Sequence, residues 1–541
     1  MATEVNQGAG PKEATGGTGG DVMSALLSGS TYRSLGEQVL SPAEERIERI
    51  RRTAGFVIAP LVTIVFLLLP TGLESDQHKL AAVLLGVVVL WVCEPIPIPM
   101  GGLLGVAAIV MLGVVPADEA LAPFGSSTVF VFIGAFILAQ AMLRHGLARR
   151  FAFLVLSLPG VGKTTNRVVC AFGLITAVLS AFVSNTATVA MLLPTAVGIL
   201  AVIAELVRDR LPDKAGFDPL RLRIGVALML MLAYGSGAGG LLTPIGSAPN
   251  LIGREFIEEA TGTNISFLDW FLTALPICAV MFVLLAVVLL LLNRPEIKHL
   301  NGVEEYVAAE RAKLGRMSWA ERNTLIAFGV TVVLWIVPGI VALVAGDGSS
   351  AYETVSAHLD EGVVAVLGAA LLFILPTRWS RREFTMTWTD ASKIDWGTIL
   401  LFGCGIIFGT LLASTDLAVA IGEGAANALG LGSEVAILVF SVVLAVVVSE
   451  TTSNTAAASV VVPILIPVAT AAQVDPFIPA LAATFAASFG FMLPVSTPQN
   501  AIVYGSGAVP ITKMIRSGFT FDIAGILLVV LLMPLVVGAV F

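Results

Sequence analysis

The chain has 541 residues, of which 57% are hydrophobic and 13% charged, with a mean hydropathy of +0.93. A soluble fold has too little polar surface to accommodate that composition, so a water-soluble protein is excluded and an integral membrane protein is expected. The formal net charge of −8 is carried mostly by loops and tail and leaves no footprint for nucleic acid.

Apolar runs such as Ala279 to Leu292, Ala436 to Val448 and Ile523 to Phe541 reach or approach the roughly 20 residues a spanning helix needs, and the alternating ten-residue pattern of a barrel strand is missing. The expected class is therefore an all-α polytopic membrane protein. Cys93, Cys170, Cys278 and Cys404 lie in or beside apolar segments without pairing spacing, and read as reduced. His78, His145, His299 and His358 are scattered among loops, so neither a metal centre nor an enzyme is expected.

Met1 to Ala43 is rich in Gly, Ser, Thr and Glu, lacks a signal-peptide pattern, and is expected to be a disordered tail. Glu44 to Arg52 reads as a charged helix at the membrane surface, so that residues 1–53 form a cytoplasmic tail and interfacial helix. Lys and Arg near span ends resist translocation, which keeps the N-terminus inside. Spans are expected at Ala54 to Leu69, Leu80 to Cys93, Pro97 to Val115 and Thr128 to Leu143. Four crossings return the chain to the cytoplasm at Arg144 to Arg167, a segment carrying Arg144, Arg149, Arg150, Lys163 and Arg167.

Asn166 to Ala204 is long enough for two spans, yet Ser184-Asn185-Thr186 interrupts it and basic loops flank both ends. Both ends then lie inside, which predicts a re-entrant hairpin with the triplet at its tip. Non-helical backbone at membrane depth persists only where protein or a water-filled cavity satisfies it. Leu222 to Ala260 is cut by Gly235-Ser236-Gly237-Ala238-Gly239-Gly240 and by Thr243-Pro244-Ile245-Gly246-Ser247-Ala248-Pro249-Asn250. Glycine permits unusual dihedrals and proline removes a donor, so a broken spanning helix is expected.

The loop from Arg254 to Asp269 is acidic and falls outside, Trp270 to Leu292 crosses back, and Arg294 to Arg322 is cytoplasmic. Thr324 to Val344 leads out, Val363 to Leu375 leads in to Arg378, Arg381, Arg382 and Lys393, and Ile399 to Ala413 leads out again. Val435 to Thr470, interrupted by Ser453-Asn454-Thr455, is flanked by segments without Lys or Arg, which predicts a second hairpin entering from outside. Ile478 to Tyr504 is broken at Pro494-Val495-Ser496-Thr497-Pro498-Gln499-Asn500, and the last span ends outside.

The second half thus mirrors the first with opposite orientation. Sixty-five residues separate Asn185 from Asn250 and 46 separate Asn454 from Asn500, the charged insert Glu205 to Arg223 accounting for the difference. Discontinuous helices at corresponding positions of an inverted repeat mark a transporter binding site near the midplane.

Sodium is bound by oxygen, and hydroxyls, amide oxygens and freed carbonyls suit it. One such set is Ser180, Ser184 and Asn185 with the backbone around Gly246; its mirror is Ser449, Thr452 and Asn454 with the backbone around Ser496. An anion between the tips would accept hydrogen bonds from Asn185, Thr186, Asn454 and Thr455 and from helix N-termini. No Lys or Arg lies in these stretches, so bound cations would supply the positive charge and make anion binding depend on them. Against this stands the ordinary role of Ser and Thr in apolar helices, bonding backwards to carbonyls or tightening packing; one triplet alone would not outweigh it.

Two intramembrane acids, Glu94 and Glu450, are candidate proton carriers, Glu94 also reading as a cap at a span end. Ser157-Leu158-Pro159-Gly160-Val161-Gly162-Lys163-Thr164 imitates a phosphate-binding loop, but Ser157 replaces the first glycine and no parallel-sheet domain surrounds it.

At both Ser-Asn-Thr triplets, at Thr243 to Asn250, at Pro494 to Asn500 and at Trp91 to Pro97, the chain resembles the divalent anion:sodium symporter family, which includes sodium-dependent dicarboxylate and citrate transporters and some sulfate carriers. The resemblance covers Ala54 to Phe541. It implies a homodimer of about eleven transmembrane helices and two re-entrant hairpins, working as an inverted-repeat elevator. Residues 54–150 and 301–433 would be scaffold, and 151–300 and 434–541 the moving transport domain. The tips Ser184-Asn185-Thr186 and Ser453-Asn454-Thr455 would bind the substrate's carboxylates, with Thr497 and Pro498 shaping the far side of the pocket.

Exchangers of the family tend to place basic groups where sodium would bind, and here Ser, Thr and Asn stand there, which favours symport. Sulfate carriers often bear large soluble inserts, which this chain lacks. Thr452 and Ser496 occupy positions that vary in the family. The expectation is a plasma (bacterial inner) membrane symporter of sodium with C4-dicarboxylates such as succinate, fumarate and malate. A di/tricarboxylate exchanger and a sulfate or citrate symporter are the alternatives, and a channel or membrane enzyme the rival classes.

Overall fold

The computed structural model describes residues 42–211, 217–346, 348–429 and 433–541. The expected tail lies outside them except for Pro42 and Ala43, which open the first helix. Among the described residues ten helices are long and apolar enough to cross a membrane, or eleven if Ser350–His358 and Glu361–Ile374, bent by 44° at their junction, form one span. The protein is a multi-pass, all-helical membrane protein, with only a short hairpin of strands at Pro376–Arg378 and Glu383–Phe384 among the described residues.

The surface shows why water is excluded as its solvent. Leu343, Val344, Leu531 and Leu535 are 66% or more exposed, and the stretch Arg49–Leu68 is only 11% buried. The charged run at Glu44 to Arg52 does not form a separate helix; it continues into the first span as Pro42–Leu68, because nothing between Arg52 and Phe56 breaks the backbone ladder. Several expected loops are helical instead, notably Leu147–Leu156 and Leu417–Leu429. The helix Ile98–Met111 has 14 residues and is shorter than the expected span over Pro97 to Val115.

Segments assigned to one side by their charge meet one another. On the side assigned to the outside, Ser127 bonds Asp360 at 2.5 Å, Thr128 bonds Glu255 at 2.8 Å, and Arg254 pairs with Glu361 at 2.7 Å. On the cytoplasmic assignment, Arg150 pairs with Glu321 at 2.7 Å, Arg149 with Glu310 at 3.0 Å, and Arg144 with Asp390.

Four interrupted elements carry the interior. The first hairpin is Thr165–Ser180 and Asn185–Arg208, the second Glu434–Thr451 and Asn454–Ala471. The first broken helix is Arg223–Gly240 and Ala248–Thr261, the second Phe477–Ala486 and Pro498–Gly505. Every residue from Ile224 to Gly240 is buried. The glycines at 235–240 do not end this helix as expected. They let it approach the first hairpin closely: a side chain at Gly239 would strike the backbone of Ala177, and one at Gly235 would come within 3.2 Å of the Gly173 carbonyl. Small residues serve that purpose in membrane packing, and the break falls later, at residues 241–247.

Candidate functional site

The two hairpin tips and the two helix breaks meet around one cavity of about 360 Å³. Ser184, Asn185, Thr186, Ser453, Asn454, Thr455, Thr497 and Pro498, the eight expected substrate contacts, all line it, as do Gly246 and Ser496. Four helices begin at its wall, at Asn185, Ala248, Asn454 and Pro498. The first amides of a helix have no partner within it and carry the positive end of its dipole. Four such ends converge here. Ser184, Ser453 and Thr497 cap their helices by accepting from the amides of Ala187, Ala456 and Asn500 at 3.3 Å each.

The opposite wall comes from other parts of the chain: Ile98, Pro99, Phe136, Asp395, Thr398 and Leu401. Among the described residues Asp395 is the only ionisable side chain on the lining, and its carboxylate caps the helix Trp396–Ser414 by accepting from the Thr398 amide at 3.2 Å. No Lys, Arg or His faces the cavity among the described residues.

Behind each tip the same bonds repeat. Ser180, fully buried, donates to Asn185 Oδ1 at 2.5 Å. Ser449, its counterpart, donates to Asn454 Oδ1 at 2.9 Å and lies 2.7 Å from the Ala487 carbonyl. Asn185 lies against Gly240, where a Cβ would collide with its amide, and Asn454 Oδ1 would be 2.9 Å from a Cβ at Gly490. Asn250 Nδ2 donates to the carbonyls of Gly240 and Thr243, both at 2.8 Å; Asn500 Nδ2 donates to those of Gly490 and Leu493 at 2.8 and 3.0 Å. Each asparagine clamps the turn that opens its break, and the Oδ1 of each is buried without a donor.

One difference between the halves bears on the cation. A Cβ built on Gly246 would lie 2.5, 2.8 and 3.0 Å from the carbonyl oxygens of Gly240, Ala181 and Ser180. Three carbonyls thus converge on that glycine; those of Gly240 and Ala181 each accept one hydrogen bond, from Asn250 Nδ2 and the Thr243 hydroxyl, and the lone pairs that remain suit a hard monovalent cation. In the second half Ser496 stands in the place of Gly246 and Glu450 in that of Ala181. Ser496 Oγ lies 2.9 Å from the Glu450 carbonyl and 2.8 Å from its Oε2, and Glu450 Oε1 accepts from the amides of Phe491 and Met492 at 2.6 and 2.8 Å. Glu450 therefore ties the second hairpin to the second break.

Of the expected cation ligands, Ser180, Ser449 and Thr452 do not line the cavity. Thr452 turns its hydroxyl back to the Val448 carbonyl at 2.7 Å, the ordinary habit of a membrane threonine. Gly240, Gln499, Asn250 and Asn500 stand in the sequence as members of the break motifs and carry no assigned role there, and nothing in the sequence marks Gly490 or Asp395; the corresponding placing of Asn250 and Asn500 after the two tips is the signal that points to the clamps. Glu94 pairs with Arg51 at 3.5 Å at the end of its helix.

A family model described as sodium:sulfate symporter transmembrane region matches residues 51–539. The sodium-dependent dicarboxylate transporter SdcS of Staphylococcus saprophyticus is 30% identical over 504 residues, covering 92% of this chain and 94% of that one. SdcS of Staphylococcus aureus (strain bovine RF122 / ET3-1) is 29% identical over 496 residues, covering 90% and 92%. Among solved structures, MtrF of Neisseria gonorrhoeae shares the fold at a TM-score of 0.52 and 14% identity, over 78% of this chain and 83% of that one.

Proposed function

This chain belongs to the sodium:sulfate symporter family, and from that membership we propose that it is a sodium-coupled symporter of dicarboxylates. The observation that carries the proposal is the cavity itself: four helix N-termini and no basic side chain, beside carbonyls converging at Gly246. Helix ends favour an anion, but the Asp395 carboxylate on the wall opposes one. Sodium held at the tips would tip that balance, so the anion binds well only when sodium is present. The relatives named as sodium-dependent dicarboxylate transporters support the same cargo.

In this mechanism Ser180 and Ser449 hold Oδ1 of Asn185 and Asn454, leaving the amide nitrogen of Asn185 to contribute to ligand binding, whereas that of Asn454 already gives one hydrogen to the Ser488 carbonyl at 3.2 Å and has one left for a ligand. Thr186, Thr455, Thr497 and the free helix amides complete the donor set for two carboxylates. The first sodium would lie among Ser180, Ser184, Asn185 and Gly246, and the second among Ser449, Thr452, Asn454 and Ser496. The tips would be re-entrant, one from each side, and residues 151–300 with 434–541 would move as a body against the scaffold of a homodimer in a bacterial inner membrane. Succinate, fumarate and malate are the C4-dicarboxylates that fit this scheme.

Thermal stabilisation of the purified protein tests the binding order. Succinate should raise the melting temperature in sodium chloride and leave it unchanged in potassium chloride, since only a ligand that binds the folded state shifts it. Equal stabilisation in both salts would exclude sodium-dependent binding.

A further inference from the structure

Away from the binding cavity, a groove of about 260 Å³ opens on the flank of the first hairpin. Its walls include Phe151 and Val155 of the helix Leu147–Leu156, Leu174 and Val178 of the hairpin arm Thr165–Ser180, and Leu325 and Phe328 of the helix Trp319–Ala345. Every side chain on the lining is apolar. Leu174, Val178 and Leu325 are 48%, 51% and 40% exposed, so the groove is open to the surroundings of a membrane-spanning surface. Within it the Phe182 ring of the first tip meets Phe328 edge-on, with centroids 5.2 Å apart. The floor is thus shared between the hairpin and a helix of the expected scaffold.

One ridge of the helix Trp319–Ala345 leads from the groove to the charged end of that helix. Trp319, Arg322, Leu325 and Phe328 follow one another at three-residue steps, the spacing of neighbours along such a ridge. Trp319 and Phe328 are about 14 Å apart along the axis at 1.5 Å per residue, and half the hydrocarbon thickness of a bilayer is about 15 Å. The groove therefore lies within one leaflet when Trp319, which is exposed, takes the headgroup level that an indole favours. Arg322 is exposed and lies over that indole, its Cζ 5.2 Å from the ring centroid. Among the described residues no carboxylate pairs with it: Glu321 is held by Arg150, and Glu310 by Arg149 and Lys313. Arg316, just before the helix, is exposed as well.

We propose that an anionic phospholipid binds here, with one acyl chain in the groove and its phosphate on Arg322, and that it favours the arrangement of hairpin and scaffold seen in this structure. An acyl chain supplies the packing contacts that an empty apolar groove forfeits, and a cation at the headgroup layer selects for negative charge. A neutral lipid would satisfy the groove and gain nothing from Arg322. Because the walls belong to both the hairpin and the helix Trp319–Ala345, a chain that fills them binds this arrangement better than one in which the two have separated. It therefore shifts the population toward this arrangement. The binding is independent of the sodium and dicarboxylate reading; the shift rests on the proposed movement of hairpin against scaffold.

Photo-cross-linking of the full-length protein in phosphatidylcholine vesicles tests the site. A trace of phosphatidylglycerol with a diazirine in one acyl chain should label Leu174, Val178 or Leu325, and unlabelled phosphatidylglycerol should compete better than phosphatidylcholine with the same chains. Arg322→Gln should weaken that competition roughly 5-fold, the worth of one cation at the surface. Val178→Trp, which fills the groove, should remove the label from Leu174 and Leu325. Absence of label from the groove, or equal competition by the two lipids, would leave only boundary lipid and overturn the proposed site. The shift is read from Thr128→Cys with Glu255→Cys in a cysteine-free background, a pair bridging a 2.8 Å contact of the same arrangement. Its joining by a short thiol reagent should be faster in vesicles containing phosphatidylglycerol, and Arg322→Gln should remove the gain. Equal rates with the groove still labelled overturn the shift. Sodium-independent uptake would count against the symport reading and leaves the labelling result as it stands.

Discussion

Ser180 donates to Asn185 Oδ1 at 2.5 Å across the first tip, and Ser449 makes the same bond to Asn454 in the second half. The hydroxyl behind the tip fixes which end of the amide turns to the cavity. Ser180→Ala leaves that oxygen buried without its donor, a cost of about 1–3 kcal/mol. If the bound state bears it, the apparent affinity for sodium or succinate falls between roughly 5- and 150-fold. Uptake kinetics in proteoliposomes check this, and unchanged affinities would show that the serine only packs.

Gly246 has no room for a methyl group. Alanine there would press on the carbonyls of Gly240, Ala181 and Ser180, and overpacking of about 1–3 kcal/mol falls on the proposed first sodium position. Gly246→Ala should remain folded and lose sodium-dependent stabilisation by succinate. Retention of the full sodium response would move the first cation elsewhere.

Arg254 pairs with Glu258 at 3.0 Å and with Glu361 at 2.7 Å, with 11% of its side chain exposed. Removing one partner of a buried pair costs about 3–5 kcal/mol, the lower end here because Glu361 is 20% exposed. Glu361→Gln should lower the melting temperature by several degrees, and an unchanged value would make this pair dispensable.

The same helix gives a test of motion. Thr128 bonds Glu255 at 2.8 Å, joining the expected scaffold to the expected moving body. In a background without the four native cysteines, Thr128→Cys with Glu255→Cys, joined by a short thiol reagent, should abolish uptake, and cleavage of the reagent should restore it. Full uptake by the joined protein would exclude a rigid-body displacement at this contact.

His145, beyond the end of the helix Ser127–Arg144, donates from Nε2 to the Thr385 carbonyl at 2.8 Å. Burial holds its imidazole below the ordinary value, and Arg144 beside it acts the same way against the opposing Thr385 carbonyl and Glu321. The unfolded chain therefore takes up the proton first as pH falls through about 6.5, and stability falls with it, by at most ~1.4 kcal/mol per pH unit. Melting temperatures from pH 7.5 down to pH 5 should show a decline that His145→Gln reduces; identical profiles would remove His145 from the acid response.

Much of the site is legible in the sequence because polar triplets inside apolar runs, repeated with broken helices after them, have few structural explanations. Ser184-Asn185-Thr186 and Ser453-Asn454-Thr455 stand out for that reason, and the structure gathers them at one cavity. Asp522, buried on the last helix, does not stand out. The apolar run begins at Ile523, so the acid reads as a span end, whereas the helix starts at Ile511 and carries it inside. The ion pair of Arg254 with Glu361 spans 107 residues, and no local pattern announces it. The glycines at 235–240 mislead in another way: composition marks a break, but packing against Gly173 and Ala177 keeps them helical.

Radiolabelled succinate uptake into proteoliposomes, with and without an inward sodium gradient, tests sodium-coupled symport most directly. Accumulation above equilibrium with the gradient, and its loss when potassium replaces sodium, is the predicted result; equal uptake in both conditions would contradict it.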